Sequence, residues 1–407
     1  MVTESWGEVR TPIILFGAFD RHNFGDLLFP HIATALLPGR QRVFAGLAER
    51  DMRRWGGHRV AALPRLAMRM GDRPSSLLQV GGEVLSCGAW QAAVMLLPPR
   101  QVQQTIAYLE PRPRERIDWV CSMLGTSALA PYTVSRQAYP GLLRVAYSGV
   151  GGVAMQQVDP EMRAEVLAKL RAADAVAVRD RVTLEQLAAA GIDARLIPDP
   201  AVMVAELFGA RIRRRARLGE VAQMRRAFPQ GYIAAQFSAD FGDDASLTQI
   251  AAQLDPVATR EGLGVVLFRA GAAPWHDDLD CLGRLAARLR PGSARLFHSI
   301  DLWDICALIA SSRAYCGSSL HGRIVATAFA LPRVNVRPAT AADRPSKQAA
   351  FAATWEDDRQ PAEVDLHELA DGLGTALAVG QEGLQHQARR LAGLYRQGFM
   401  ALCPTLT

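Results

Sequence analysis

The chain has 407 residues, 49% of them apolar, and a formal net charge of +6. A chain of this length can bury two hydrophobic cores, so we expect two domains. The mild basic excess suits a protein that handles anionic small molecules, and without a basic platform interleaved with aromatic residues we expect no nucleic-acid partner.

Strand-like and helix-like patterns alternate along the chain. The segments predicted as strands are 13–17, 77–80, 143–148, 175–178, 194–197, 232–236, 265–269, 294–298 and 333–336. This alternation predicts an α/β fold with mostly parallel sheets and helices on both faces. The proline-flanked Asp199 and the arginines after it mark a connection between two halves. We therefore expect one Rossmann-like domain at 1–205 and a second at 206–360. Helices are expected at 361–407, and one option is that they pack back on the first domain.

The first predicted strand ends in a turn that contains Asn23 and Asp26 and leads into a helix. Either side chain can cap that helix. Capping is the strong alternative to a functional role for Asp26. The Asn23 amide is expected to point into the crevice above the strand ends, where ligands of α/β sheets bind.

Two stretches are rich in arginine, one at 53–73 and one at 211–226. A solvated helix face is the favoured interpretation of both. The first stretch also contains Trp55, Met68 and Met70, so its alternative is a helix that lies on an anionic membrane surface.

The expected location depends on patterns that the sequence lacks. The first ten residues do not have the pattern of a signal peptide, and polar residues interrupt the most apolar region, 77–98. The six cysteines show no spacing typical of zinc. We expect a cytoplasmic protein that binds no metal, with peripheral contact at the inner membrane surface left open.

Two more segments follow predicted strands. Gly81 and Gly82 permit close approach of the backbone to a ligand, although glycines there more often only allow a tight turn. Trp275 and His276 lie in a loop before a predicted helix, for which Asp277 is the candidate cap. A sugar ring stacked on Trp275 is our prediction for this loop.

The segment 318–323 is the most informative one, because it stands between a buried strand and an apolar helix. Free backbone N–H groups and the helix dipole attract anions at such a turn. Ser319, His321 and Arg323 add three further donors, so the expected ligand carries phosphate or carboxylate. The alternative is that Ser319 only caps the helix and His321 is a packed core histidine.

Five segments, in this order, resemble the polysaccharide pyruvyl transferases: Asn23-Phe24-Gly25-Asp26, Val80-Gly81-Gly82-Glu83, Ala177-Val178-Arg179-Asp180, Pro198-Asp199-Pro200-Ala201 and Ser319-Leu320-His321-Gly322. The resemblance covers residues 12 to 347. It implies a fold similar to the B-type glycosyltransferases, with two Rossmann-like domains that face a central cleft. It also implies transfer of pyruvate from phosphoenolpyruvate onto a sugar as a cyclic ketal, with no cofactor.

The sugar implied by the resemblance belongs to a bacterial surface polysaccharide or exopolysaccharide, or to a precursor that is either free or lipid-linked. The family often has Arg two residues before the histidine, where this chain has Ser319, so Arg323 or Arg179 is expected to supply that charge. Lys347 falls where the family often carries a lysine.

The resulting site prediction groups residues by role. His321 and Asp26 are the predicted catalytic pair. The predicted donor-binding residues are Ser319, Gly322, Arg323, Arg179 and Lys347. The predicted acceptor-binding residues are Asn23, Gly81, Gly82, Asp199, Trp275 and His276.

Two other functions stay open on the sequence alone. A glycosyltransferase that uses a nucleotide sugar would suit the same two-domain cleft. A non-catalytic carbohydrate-binding or assembly protein of this fold is favoured by Ser319 in place of arginine.

Overall fold

The computed structural model describes residues 11–338, 346–357 and 360–406, so the first ten residues, which carry the signal-peptide prediction, lie outside it. Two separate β-sheets organise the chain. The strands of the first sheet are β1 (Ile13–Phe16), β2 (Arg42–Gly46), β3 (Arg50–Asp51), β4 (Arg59–Ala62), β5 (Ser75–Gln79), β6 (Leu142–Val150), β7 (Ala175–Val178) and β8 (Arg195–Leu196). The strands of the second are β9 (Tyr232–Gln236), β10 (Gly264–Leu267), β11 (Ala294–Leu296), β12 (Ala314–Gly317) and β13 (Arg333–Asn335).

Helices connect the strands and cover the sheets. In the first half they are α1 (Phe24–Leu36), α2 (Leu63–Met70), α3 (Ala89–Met95), α4 (Pro99–Leu109), α5 (Pro113–Leu124), α6 (Pro160–Arg171) and α7 (Arg181–Ala189). From the connection onward they are α8 (Val204–Arg215), α9 (Gly219–Ala227), α10 (Asp244–Glu261), α11 (Leu279–Arg288), α12 (Leu302–Ala310), α13 (Leu320–Ala328), α14 (Lys347–Trp355), α15 (Leu369–Ala378) and α16 (Gln381–Leu402). Among the described residues, no helix combines the length and apolar character needed to cross a bilayer.

The strand order fixes where a ligand can enter. The first sheet has the order β3-β4-β2-β1-β5-β6-β7-β8, and the second has the order β11-β10-β9-β12-β13. Neighbouring strands are parallel, apart from the antiparallel pair β3 and β4. The order reverses between β1 and β5 and again between β9 and β12. Crevices open at such reversal points, beyond the carboxyl ends of the strands.

Central strands in both sheets are buried throughout, so most of them are apolar runs rather than alternating patterns, although β5 also buries Ser75, Ser76 and Gln79. All four residues of β1 and all of β5, β9, β10 and β12 are buried. One apolar cluster continues from the first half into the second and includes Phe24, Leu302, Tyr315 and Tyr395. The two halves therefore share a packed interface on one side of the crevices.

The last helix lies against the first half. The Tyr395 hydroxyl of α16 is 3.1 Å from the Ser148 hydroxyl of β6, and the Leu406 carbonyl accepts a hydrogen bond from Ser76. The first contact belongs to α16 and the second to the turn at Cys403–Leu406 that follows it. The domain boundaries at 205 and 360 stay predictions.

The predicted fold class is confirmed: the chain is an α/β protein with parallel sheets. The arginine-rich stretch 53–73, however, is not one helix. Arg59 lies on β4, and a single turn at 53–55 ends at Gly56, whose φ of 80° only glycine adopts readily. The high charge of the stretch conceals one short strand, β4, from a prediction based on apolar pattern.

Candidate active site

The turn after β1 presents a carboxylate to the crevice. The Asn23 side-chain oxygen accepts hydrogen bonds from the backbone N–H groups of Gly25 and Asp26, at 3.1 and 3.5 Å. Asn23 is therefore the N-cap of α1, and Asp26 is not needed for that role. The Asp26 side chain instead lines the cleft between the halves.

The turn after β12 brings a histidine to the same place. Ser319 caps α13 by accepting a hydrogen bond from the Gly322 N–H at 3.2 Å, as predicted for a cap. The His321 ring lies against Gly25 so closely that a Cβ at residue 25 would be 1.9 Å from its Nδ1. Phe24 and Phe29 contact the same ring edge-on. Only glycine at position 25 lets the two turns meet.

His321 has an acidic neighbour behind it. Its Nε2 is 3.7 Å from Asp199 Oδ2, which is too long for a hydrogen bond, and Nε2 has no other hydrogen-bond partner in the described part of the chain. Asp199 is fully buried, and its other oxygen accepts from the Ala201 N–H. Burial alone would raise the pKa of Asp199, but His321 and Arg179 outweigh it and lower the pKa.

Arg179 reaches the cleft with its charge already matched. Its guanidinium donates to Asp199 at 2.8 Å and to Glu83 at 2.6 Å, and the side chain is 1% exposed. Gly151 leaves room for this pair, since a Cβ there would be 2.3 Å from Glu83 Oε2. Arg179 therefore fixes Asp199 and Glu83 rather than offering an unmatched cation to a ligand.

Arg323 does not line the cleft, which corrects its predicted donor-binding role. The guanidinium is fully buried and donates to both oxygens of Glu356 at 3.1 and 2.5 Å. It also donates to the carbonyls of Pro361 and Ala362. Because each helical residue turns by about 100°, Arg323 points about 200° away from His321.

The predicted glycines serve the shape of the site. A Cβ at Gly322 would be 2.4 Å from the Tyr315 ring, so Gly322 allows α13 to pack on β12 and does not line the cleft. Gly81 and Gly82 have φ of 129° and 102°, in a region that side chains disfavour. Of these two, Gly82 lines the cleft.

Among the described residues, Lys347 and Arg21 are cations that face the cleft without an ion-pair partner within 4 Å. Lys347, one of only two lysines in the chain, begins α14 and lines the cavity. The residue keeps accessible surface, while desolvation by the cleft walls lowers the pKa of its ammonium. Arg21 donates to the Tyr132 hydroxyl at 2.7 Å, and its Nε has no hydrogen-bond partner among the described residues. The sequence patterns do not single out Arg21, although it precedes Asn23 in the same turn.

The loop after β10 contacts the turn after β1. The Asn23 amide lies 3.2 Å from His276 Nε2, and His276 Nδ1 lies 3.0 Å from the Pro274 carbonyl. Since a carbonyl only accepts, the proton belongs on Nδ1, and Asn23 donates to Nε2. Burial lowers the pKa of His276 to about 4, so the ring is neutral at pH 7. Trp275 is 48% exposed at the cleft, with a φ of 62°.

Asp277 is a further cleft residue. It accepts hydrogen bonds from Gln236 Nε2 at 2.7 Å and from the Ala270 N–H at 2.5 Å, and burial raises its pKa to about 7. The sequence suggested Asp277 as the cap of α11, but Asp278 is the cap. The adjacent aspartates cannot be distinguished without knowing where the helix starts.

The cavity between the halves has a volume of about 510 Å³. It collects most of the predicted residues, namely Asn23, Asp26, Gly82, Arg179, Trp275, His276, Ser319, His321 and Lys347. Asp199 stands behind His321, while Gly81, Gly322 and Arg323 lie outside the lining. The cleft thus offers cations, neutral hydrogen-bond donors and a carboxylate around one space of small-molecule size.

The model of the polysaccharide pyruvyl transferase family matches residues 150–338, a segment that includes Arg179, Asp199 and His321. The family consists of transferases, as predicted. No curated protein matches the sequence.

Solved structures show where else this fold occurs. MnaA from S. aureus in complex with UDP superposes with a TM-score of 0.53 at 11% identity, covering 97% of this chain and 95% of that one. UDP-N-acetylglucosamine 2-epimerase from Rickettsia bellii gives 0.52 at 11% identity, with coverage of 97% and 96%. The UDP-GlcNAc 2-epimerase from Methanocaldococcus jannaschii gives 0.51 at 9%, with coverage of 95% and 100%. At such identities the similarity shows the fold alone.

Proposed function

From the match of residues 150–338 to the polysaccharide pyruvyl transferases, we propose that this chain transfers the enolpyruvyl group of phosphoenolpyruvate to a sugar of a bacterial surface polysaccharide or exopolysaccharide, or to its precursor. The product is a pyruvate ketal. Pyruvyl transfer to a polysaccharide is the activity of the matched family, and the donor and acceptor are the parts that we propose.

One observation carries the proposal: Lys347, Arg21 and the N-terminus of α13 face the same cavity as His321 and Asp26. Phosphoenolpyruvate carries a phosphate and a carboxylate close together, so it needs several donors in one small volume. Lysine and arginine supply charge-assisted bonds, and the free N–H groups of a helix start supply the rest. Lys347 and Arg21 thus take the role that the sequence assigned to Arg323.

The chemistry requires two proton movements. A proton adds to C3 of the enolpyruvyl group, and one sugar oxygen bonds to the cationic C2. A second sugar oxygen then bonds to C2 while the bond from C2 to the phosphate oxygen breaks. The two hydroxyl protons end on C3 and on the released phosphate, so the reaction balances without a redox partner.

His321 and Asp26 are the groups that we assign to these movements. His321 delivers the proton to C3, because an imidazole exchanges protons near neutral pH and this one lies at the anion-binding turn. Asp26 accepts the sugar proton, since Asn23 already caps α1 and leaves this carboxylate at the cleft. Asp199 is a positioning residue, because its Oδ2 lies 3.7 Å behind His321 Nε2 and limits how the ring can turn.

The acceptor sugar enters beside the loop that carries Trp275. The exposed indole offers a face for the apolar side of a sugar ring, and Asn23 and His276 form a neutral hydrogen-bonded wall next to it. Neutral groups on this side keep the cations of the cleft available for the donor.

A thermal-shift titration tests the donor. Phosphoenolpyruvate should raise the melting temperature of the wild type, and Lys347→Met should remove most of that shift. Lys169→Met is the matched control, because Lys169 does not line the cleft. Its ammonium pairs instead with Glu165, at 2.5 Å. Stabilisation by UDP but not by phosphoenolpyruvate would instead indicate a nucleotide-sugar enzyme, and stabilisation by neither would indicate a non-catalytic protein.

A further inference from the structure

A second cavity of about 490 Å³ opens beside the cleft. The two cavities share Arg21 and Met95 as walls, and the loop that carries Ala272 and Pro274 separates them. The second cavity receives residues from both halves of the chain, so it continues the crevice outward from the reacting centre.

Four arginines line this second cavity: Arg21, Arg50, Arg54 and Arg269. Within the described part of the chain, the buried Nε atoms of Arg269 and Arg21 have no hydrogen-bond partner. The Arg54 guanidinium stacks 3.6 Å from the centre of the Trp55 ring, which leaves its N–H groups available at the rim. Arg50 donates one hydrogen bond to the Leu96 carbonyl.

The carboxylates that line this cavity are already occupied. Asp20 is 1% exposed, and it accepts from the N–H groups of Leu47 and Ala48 and from the Tyr132 hydroxyl. Asp51 lies 2.5 Å from Arg53, a residue outside the lining. The four arginines therefore leave an excess of positive charge in a space that both halves enclose.

His22 makes the wall neutral and rigid rather than adding charge. Its Nε2 donates to the Ile300 carbonyl at 2.7 Å, and its Nδ1 accepts from the Ala272 N–H at 3.1 Å. Burial lowers the pKa of His22. The histidine thereby ties the turn after β1 to the loop that bears Arg269.

We propose that this arginine-lined cavity binds a phosphate or diphosphate group carried by the acceptor molecule, on the part remote from the sugar that receives the ketal. The guanidinium groups match phosphate oxygens, and Trp55 with Leu96, Leu97 and Pro98 supplies an apolar wall for whatever carries the phosphate. Binding of the anion is independent of the reaction, but its assignment to the acceptor rests on the proposed function.

The position of the cavity separates this anion from the donor phosphate. The donor must lie next to His321 and Lys347, neither of which lines the second cavity. Arg21 stands between the two spaces and contacts both. An acceptor that fills them together places its phosphate outward and its sugar inward, past Trp275.

Calorimetric titration with inorganic pyrophosphate tests the site on the full chain. The double variant Arg54→Gln/Arg269→Gln should weaken binding by about tenfold or more, since two charge-assisted contacts are lost. Arg65→Gln is the matched control, because Arg65 is an exposed arginine that does not line this cavity. If the double variant does not fold, Arg54→Gln alone replaces it in the titration, because this change removes only a stacked and exposed guanidinium. It should also weaken the binding of pyrophosphate.

Lys347→Met locates the binding event. If it leaves pyrophosphate affinity unchanged while the double variant loses it, the anion lies in the second cavity. If Lys347→Met abolishes binding, or if the double variant binds as the wild type does, the inference is wrong. Neither failure bears on stabilisation by phosphoenolpyruvate, so the proposed function is judged separately.

Two further arms identify the source of the phosphate. Glucose 1-phosphate bound by the wild type and lost in the double variant indicates a water-soluble sugar phosphate. Vesicles with phosphatidic acid, bound better than vesicles of phosphatidylcholine and only while the arginines are present, indicate a lipid-borne phosphate. Either result supports the site. If neither probe binds, the site is contradicted.

Discussion

Two turns of the same construction face each other across the cleft, and they use their charged residues in opposite ways. The turn after β1 is capped by Asn23 and presents Asp26, whereas the turn after β12 is capped by Ser319 and withdraws Arg323 into the protein. The difference follows from position on the helix, because Asp26 lies three residues after its cap and Arg323 four. A motif therefore predicts a charge near a site only when its helical phase is also known.

The two turns also differ in how they are supported. Behind α13, Arg323 and Arg333 hold Glu356, and although burial alone would raise the pKa of Glu356, the two arginines lower it to about 2. On α1 itself, the centre of the His31 ring lies 4.1 Å from the centre of the His58 ring. Among the described residues, His31 makes a hydrogen bond with the Gly56 carbonyl and none with an ionised side chain. One turn rests on buried charges and the other on partly buried neutral rings.

The largest expected effect comes from Gly25→Ala, which tests the contact between the turns. A Cβ at residue 25 would overlap the His321 ring, so the ring must move, and turnover should fall by roughly 10²–10⁴-fold, as on removal of a proton-transfer group. Steady-state kinetics measures the loss. Gly283→Ala is the control, since a Cβ there meets nothing within 4 Å and turnover should not change. Wild-type activity in Gly25→Ala would show that turnover does not depend on the close contact between the two turns.

Arg323→Met tests the withdrawn charge. It leaves Glu356 buried with one arginine fewer, and breaking a buried pair in this way costs about 3–5 kcal/mol of unfolding free energy. Denaturant unfolding measures this loss, while activity per folded molecule should persist. Arg337→Met, which breaks an exposed pair with Asp365, should cost about 0–1 kcal/mol. Unchanged stability together with lost donor binding would show that Arg323 is a ligand group after all.

Asp26→Asn tests the presented charge. Turnover should fall by roughly 10²-fold with little change in melting temperature, because Asn23 keeps the cap of α1 while the sugar proton loses its acceptor. Parallel kinetics and melting curves separate the two roles. A drop in melting temperature with turnover preserved would mean that Asp26 stabilises the turn and the base lies elsewhere.

The smallest effect concerns pH and the support of α1. Burial lowers the pKa of His31 to about 4 and that of His58 to about 3, both below the unfolded value of about 6.5. The unfolded chain therefore binds more protons than the folded one in this window, so stability is full above pH 6.5 and falls as the pH drops toward 4. His58→Phe, which preserves the stacking on Phe44, should flatten that decline by on the order of 1–3 kcal/mol. Melting temperatures measured from pH 7.5 to 4.5 check this expectation. An equal decline in the wild type and in His58→Phe would contradict it.

The sequence predicts much of the frame because buried parallel strands are continuous apolar runs. It does not predict β2 to β4, since Arg42, Arg50 and Arg59 break the apolar pattern on strands at the sheet edge. It places Asn23, Asp26 and His321 correctly at the cleft, because strand-end turns are recognisable from local residues. Arg323 points away from the cleft, and the sequence does not predict this direction. Its partner Glu356 is distant in the sequence, so only the fold shows the pair.

Cleft residues without a local signature are also beyond the sequence. Arg21 is one of 46 basic residues, and nothing near it shows that its Nε lacks a partner. Asp277 and Asp278 are adjacent, and only the start of α11 decides which one faces Gln236. Such residues are defined by what folding leaves unpaired or desolvated.

The most direct test of the account is transfer of labelled pyruvyl from phosphoenolpyruvate to the sugar fraction of the producing cell. The wild type should release one phosphate for each ketal formed. His321→Ala should lower both rates together by roughly 10²-fold or more, whereas His298→Ala, which changes an exposed histidine that pairs with Glu220, should alter neither. Equal transfer by His321→Ala and the wild type, or no transfer by the wild type while UDP-sugars are consumed, would contradict the account.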